Sequence, residues 1–275
     1  MPQTIVITGA NSGIGAAAAR QLAARGERVV IVGRNREQTA AIAGELGAPY
    51  HLADFTSLDQ VRGLADDLLA AYPRIDVLAN NAGGIFAEET TADGVDKTFQ
   101  VNHLAPFLLT HRLLDRLVTS QAKVIQTSSI GAKIFGKIDI DDLNNRRKWK
   151  PNKAYGDAKL ENILFTRELH RRYHAQGLSA VAFHPGNVAT NFASSTSSLM
   201  RLIYHTPLAR LILITPEEGG AHLTWLAEGT PGKTWQSGEY YEDDKLAPPK
   251  KLNPQVHDAE LAKALWERSE QMLGV

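Results

Sequence analysis

The chain has 275 residues, 30 lysines and arginines against 30 aspartates and glutamates, and no cysteine. Balanced charge leaves no electrostatic footprint for nucleic acid or for an anionic membrane, and the missing cysteine excludes disulfides, thiolate metal sites and a cysteine nucleophile. The length suits one open α/β sheet with helices on both faces, and no metal is expected.

Thr4 to Thr8 reads as a short buried strand, followed by Gly9-Ala10-Asn11-Ser12-Gly13-Ile14-Gly15 and a strong helix former, Ala16 to Arg25. Strand, glycine turn and helix are the context of a phosphate-binding loop: glycines let the backbone approach a pyrophosphate, and the helix start favours its charge. Gly15 allows close packing of helix on strand. A second strand, Arg28 to Gly33, ends in Arg34-Asn35-Arg36 with no carboxylate before Glu37. A guanidinium here suits the 2′-phosphate of NADP(H), whereas NAD(H) is usually met by a carboxylate. A surface arginine is the plainer alternative. Ser12 is a second candidate contact, and Asn35 a third.

A helix from Glu37 to Leu46 leads to a third strand, Tyr50 to Ala53, and then to Asp54-Phe55. Ser57 is the expected N-cap of a helix over Leu58 to Tyr72. The fourth strand, Ile75 to Ala79, runs into Asn80-Asn81-Ala82-Gly83, whose amides can fix sheet edges and whose small residues admit a ribose. A long helix is expected from Gly94 to Leu117. Within it Asn102 is unfavourable unless its amide finds a partner, and Pro106 implies a kink. Lys123 to Ser129 is a fifth strand that ends in hydroxyls. Gly9, Arg34, Asp54, Asn80 and Ser129 all fall at strand ends, where ligands bind in doubly wound sheets.

Tyr155 and Lys159 lie one helical turn apart on one face. An isolated phenol titrates near ~10, so a cation beside it favours the phenolate and prepares the pair for proton exchange with an alcohol oxygen. The spacing alone equally fits a solvated helix face. A sixth strand, Leu178 to Phe183, precedes His184-Pro185-Gly186-Asn187-Val188-Ala189-Thr190. A helix starting at Pro216, a seventh strand over Gly238 to Tyr241 and a capped amphipathic helix from Asp258 to Met272 complete the chain.

The ordered motifs Thr8-Gly9-xxx-Gly13-Ile14-Gly15, Asn80-Asn81-Ala82-Gly83, Ser129 and Tyr155-xxx-Lys159 resemble the short-chain dehydrogenases/reductases. The resemblance implies a single Rossmann-type domain over residues 1–275, with a doubly wound parallel sheet of about seven strands. It implies Tyr155 as general acid/base, Lys159 as the group that lowers its pKa and binds ribose, and Ser129 as the hydrogen bond to the substrate oxygen. Ser128 would then be structural. Asn102 would hold a water that relays protons to Lys159; a structural role at the helix kink is the alternative. Asp54 would meet the adenine amino group, with Phe55 beside it. Pro185 and Gly186 would shape a turn against nicotinamide, and Val188 and Thr190 would hold its carboxamide.

The segment 133–154 between Ser129 and Tyr155 is longer than usual and includes Asp141-Asp142-Leu143-Asn144, which resembles the retinol dehydrogenase/WW-domain-oxidoreductase branch. The helix around Tyr155 is also similar to that of protochlorophyllide reductases, enzymes that reduce a C=C bond and generally use a cysteine this chain lacks. Residues 191–216 correspond to a substrate lid, and the apolar run from Leu199 to Ile214 points to a bulky hydrophobic carbonyl compound or alcohol. That run also fits a membrane surface or a second subunit. No secretory signal and no uncharged membrane-length run is visible, which agrees with a cytoplasmic protein. A dinucleotide-binding sensor without turnover is the rival to an enzyme, and pairing into a homo-oligomer is open.

Overall fold

Each β-branched run of the first half becomes a strand buried on both faces. In the computed structural model, which describes residues 2–186 and 214–275, β1 (Thr4–Thr8) leads through the glycine loop to α1 (Gly13–Ala24), β2 (Arg28–Gly33), α2 (Arg36–Leu46) and β3 (Tyr50–Leu52). Then come α3 (Leu58–Ala71), β4 (Val77–Asn80), and a helical region made of α4 (Lys97–Phe99), a wide turn over Gln100–Leu104, α5 (Ala105–Arg112) and α6 (Leu114–Thr119). β5 (Lys123–Thr127), α7 (Gly131–Ile134), α8 (Pro151–Tyr173) and β6 (Ser179–His184) follow. After the undescribed stretch come α9 (Pro216–Glu228), β7 (Tyr240–Glu242), β8 (Lys245–Leu246) and α10 (Ala259–Leu273).

The sheet order is β3-β2-β1-β4-β5-β6-β7-β8, parallel throughout except for the pair β7 with β8. The order reverses between β1 and β4, so a crevice opens outside the carboxyl ends of those strands. Alternation along each strand divides the core into two layers. Val6, Val32, Leu78 and Val124 face α3, α5 and α8, whereas Ile5, Ile31, Val77 and Ile125 face α1, α2 and α9. On the first side α10 adds Trp266, which stacks on Phe165 at 5.6 Å and meets Phe107 edge-on at 4.9 Å.

The expected caps are present: Ser57 accepts from Gln60 N and Asp258 from Leu261 N. Three elements differ from expectation. An eighth strand pairs back on the seventh through Asp243 and Asp244, both at positive φ (50° and 57°), the geometry that closes a two-residue hairpin. No alternation over two residues could announce it. The helix expected from Gly94 begins at Lys97 instead. Gly94 has φ 77° and belongs to a turn on Thr91 O, and Asp96 Oδ1 caps Phe99 N at 2.9 Å. The helix around Tyr155 starts at Pro151, inside the expected 133–154 insertion, because proline is suited to a first helical turn.

One buried acid carries a stability signature. Glu161 on α8 is 1% exposed, its Oε2 has no hydrogen-bond partner among the described residues, and burial, reinforced by Asp157, raises its pKa well above the ordinary carboxyl value. The native state therefore holds this proton more tightly than the unfolded chain. The associated stability is full below the unfolded value of about 4.3 and is lost as pH rises through the raised native value. Glu161→Gln should gain about 1–2 kcal/mol near pH 8 and flatten the pH dependence. Urea midpoints at acid and alkaline pH check this; parallel curves for both proteins would contradict it.

Candidate active site

The glycine loop is held against the end of β4 by one hydroxyl. Thr8 Oγ1, fully buried, accepts from the backbone N–H of Asn81 and of Ala82, each at 3.0 Å. Asn81 Nδ2 returns a bond to Thr8 O at 3.0 Å. Gly9 has φ 67° and leaves only 2.9 Å between the position of an added Cβ and Ala82 Cα, so the two loops touch through backbone. At the start of α1, Ser12 caps no N–H with its side chain. The first-turn N–H groups of Gly13, Ile14 and Gly15 are thus left to a ligand, and the positive end of the dipole adds to them. This donor set fits a pyrophosphate.

Around that loop the other expected cofactor residues differ in how they are engaged. Arg34 is exposed at the end of β2 and has no carboxylate partner among the described residues. Asn35 caps α2 by accepting from Gln38 N, and Asn11 Nδ2 donates to Gln38 Oε1 at 3.0 Å. Asp54 Oδ1 accepts from both Thr56 N and Thr56 Oγ1 at 2.9 Å. Phe55 turns its side chain into the larger core layer, and its carbonyl accepts from Gln100 Nε2 at 3.2 Å. Pro185 and Gly186 follow β6, Gly186 with φ 85° against the Ile214 side chain. Val188, Thr190 and positions 191–213 of the expected lid lie outside the described residues.

Asn102 explains its own surroundings. Its Nδ2 donates to Thr98 O and to Gly84 O, both at 2.8 Å, and its Oδ1 accepts from Gly84 N at 3.0 Å. Thr98 O is the carbonyl that Asn102 N would use in an ordinary helix. With the side chain inserted there, the backbone widens to i−5 bonding over Gln100–Leu104, where Ala105 N reaches Gln100 O. Pro106 sits in the first turn of α5, beyond this distortion. Asp96 ties the region to the insertion: its Oδ2 accepts from Trp149 Nε1 at 2.9 Å, and its N–H donates to Asn144 Oδ1 at 2.8 Å.

α8 supplies the phenol and the ammonium. Tyr155 is 8% exposed, and Lys159 Nζ lies 5.6 Å from its ring centroid. Lys159 is buried, which lowers its pKa to about 7. Nζ donates to Thr127 O at 3.0 Å, and Asn162 Nδ2 donates to the same carbonyl at 3.3 Å. A Cβ on Gly83 would stand 2.5 Å from Asn102 Oδ1 and 3.0 Å from Lys159 Nζ, so Asn102 and Lys159 meet across that glycine. A Cβ on Gly131 would stand 3.2 Å from the Tyr155 ring and 3.5 Å from Ser129 Oγ, which brackets the hydroxyl and the phenol together. Ser129 Oγ accepts from Gly131 N at 3.1 Å, while Ser128 Oγ spends its proton on Lys159 O at 2.6 Å.

Sequence reasoning assigns Thr8 no role beyond opening the glycine motif, and it does not mark Asn162 or the Thr127 carbonyl. Thr8 left a faint trace, a hydroxyl at the last position of an apolar strand. Asn162 falls on the Tyr155–Lys159 face at i+3 from the lysine, a spacing visible in the sequence.

Known proteins share both sequence and fold with this chain. Residues 3–200 match the short chain dehydrogenase family. A protein of Streptomyces sp. (strain C5), provisionally named daunorubicin C-13 ketoreductase DnrU, is 41% identical over 280 residues, covering 99% of this chain and 93% of its own. Human retinol dehydrogenase 13 is 35% identical over 286 residues, covering 99% of this chain and 85% of its own. A crystal structure of an uncharacterized protein from Mycobacterium paratuberculosis superposes with TM-score 0.79 at 32% identity, covering 100% of this chain and 96% of that one. This chain belongs to the short-chain dehydrogenase/reductase family, an oxidoreductase with retinol dehydrogenase-like relatives.

Proposed function

We propose that the protein is an NADP(H)-preferring reductase of bulky, apolar ketones or aldehydes, with Tyr155 as the proton donor. The observation that carries this reading is the meeting of Ser129, Tyr155, Lys159 and Asn102 around Gly83 and Gly131, beside an uncapped helix start that fits a pyrophosphate. When bound, NADPH supplies the hydride that the carbonyl carbon receives. Ser129 Oγ and the Tyr155 hydroxyl polarise the carbonyl oxygen by hydrogen bonding, and Tyr155 passes it a proton as charge develops. Lys159, positively charged in its protonated form, stabilises the phenolate left behind. Asn102 holds the adjoining loop in place and stands next to Lys159 on the route by which the phenol is reprotonated. Daunorubicin and retinol, the compounds in the names of two relatives, are both bulky, which supports the size of the substrate. A cytoplasmic location is part of the same reading.

The preference for NADP(H) rests on Arg34, exposed at the end of β2 and without an ion pair among the described residues. A charge-assisted contact with the 2′-phosphate is worth about 1.5–3 kcal/mol. Arg34→Glu should therefore lower kcat/KM for NADPH about 10–100-fold and leave NADH little changed. Steady-state oxidation of both nucleotides with a panel of hydrophobic aldehydes, ketones and quinones tests the reading. An unchanged NADPH/NADH ratio would sink the role of Arg34, and no turnover across the panel would sink the reductase.

A further inference from the structure

The clearest unexplained surface starts at the active site and leads out of it. α7 packs its first residue, Gly131, against the Tyr155 ring, and four residues later it ends in Ile134 and Phe135, which are 60% and 44% exposed. Phe135 stays close to the site: its Cβ would be 2.7 Å from a Cβ on Gly156, the residue after Tyr155. The backbone under the pair is firmly held. Asn253 Nδ2 donates to Ala132 O at 2.9 Å and to Gly136 O at 2.7 Å. Gln255 makes a two-way contact with the Ile138 main chain at 2.8 and 2.9 Å. The pair is thus displayed on a fixed platform.

Those same bonds lay Asn253 and Gln255 beside α7, a few residues after Lys250 and Lys251, while Lys133 and Lys137 flank the apolar pair in the sequence. All four lysines are exposed, and none is ion-paired among the described residues. Two carboxylates of this region are already used: Asp139 pairs with Arg147 at 2.9 Å, and Asp157 pairs with Lys153. In a chain of zero formal net charge, residues 133 to 153 hold seven lysines and arginines against three aspartates.

We propose that Ile134 and Phe135, together with the exposed Lys133, Lys137, Lys250 and Lys251, dock the protein on an anionic lipid surface. An exposed apolar tip accompanied by unpaired lysines is complementary to acyl chains beneath anionic headgroups. A second copy of this chain is a poorer occupant, because a two-fold contact would set like charge against like charge. The attachment proposed is peripheral and reversible by salt; no helix among the described residues is long and apolar enough to cross a membrane. It would give the site access to apolar compounds dissolved in lipid. The surface reading stands apart from the hydride chemistry and does not depend on it.

The experiment is co-sedimentation of the full chain with vesicles of phosphatidylcholine alone or with phosphatidylserine in a two-to-one ratio, at low and high salt. Binding should be at least about tenfold stronger to the mixed vesicles and weaken as salt rises. Lys250→Glu with Lys251→Glu should lower that binding about tenfold or more, with turnover of a water-soluble ketone in the absence of vesicles unchanged. Ile134→Ser with Phe135→Ser should also release the protein from vesicles. No binding to the mixed vesicles would overturn the proposal, as would binding that neither double variant weakens. A raised KM for the soluble ketone in the Ile134/Phe135 variant, with vesicle binding intact, would overturn it in favour of a substrate-pocket wall. Concentration-dependent dimers lost in that variant would overturn it in favour of a contact between copies.

Discussion

Tyr155→Phe is expected to lower kcat for carbonyl reduction by about 10²–10⁴-fold, the range that a positioned acid–base group contributes. The ring is nearly buried against α7, and phenylalanine keeps that packing while removing only the hydroxyl. Binding of NADPH, followed by its fluorescence, should stay within a few-fold of wild type, so the loss belongs to proton transfer. Lys159 adds a pH signature. Burial brings its pKa to about 7, so its charge is present below that value and lost above it. Reduction by the wild type should therefore decline on the alkaline side, and Lys159→Met should lack that limb. Tyr155→Phe turning over at the wild-type rate would remove the phenol from the mechanism.

Gly83→Ala should be nearly as damaging without touching a reactive group. The new methyl would stand 2.5 Å from Asn102 Oδ1 and 3.0 Å from Lys159 Nζ. One or both must move, and Asn102 is bound on three sides. Displacements of about 1 Å near reacting groups cost about 10²-fold in rate, and overpacking costs about 1–3 kcal/mol of stability. Steady-state kinetics and thermal melts measure the two effects. Gly63→Ala is the matched control. It lies inside α3 with nothing within 4 Å of the new methyl, so activity should be unchanged and stability slightly raised. Equal behaviour of the two variants would show that the approach at Gly83 does not matter.

Much of this architecture could be read in the sequence, because it is encoded locally. A glycine turn between a β-branched run and an alanine-rich helix announces a βα unit. Ser57 and Asp258 announce helix starts, and polar residues at the ends of apolar strands mark where ligands bind. What could not be read depends on bonds that close over long separations. Thr8 pins the loop after β4 from 73 and 74 residues away. The Thr127 carbonyl shared by Lys159 and Asn162 is main chain and leaves no sequence mark. Asn102 stood out as an amide in an apolar helix, yet the wide turn follows from its reach to Thr98 and Gly84, which spacing does not specify. Phe55 was placed by its neighbour Asp54, whereas burial decides its side chain.

The central claim is that hydride passes from NADPH to a carbonyl carbon while Tyr155 protonates the oxygen. Its most direct test is transfer of label from NADPH deuterated at nicotinamide C4 to a bulky aromatic ketone, read by mass spectrometry of the product. Wild type should give an alcohol carrying one deuterium on the carbinol carbon, and Tyr155→Phe a rate reduced by orders of magnitude. Tight NADPH binding with no deuterated alcohol from any carbonyl tested would contradict it and leave a protein that senses the dinucleotide without using it.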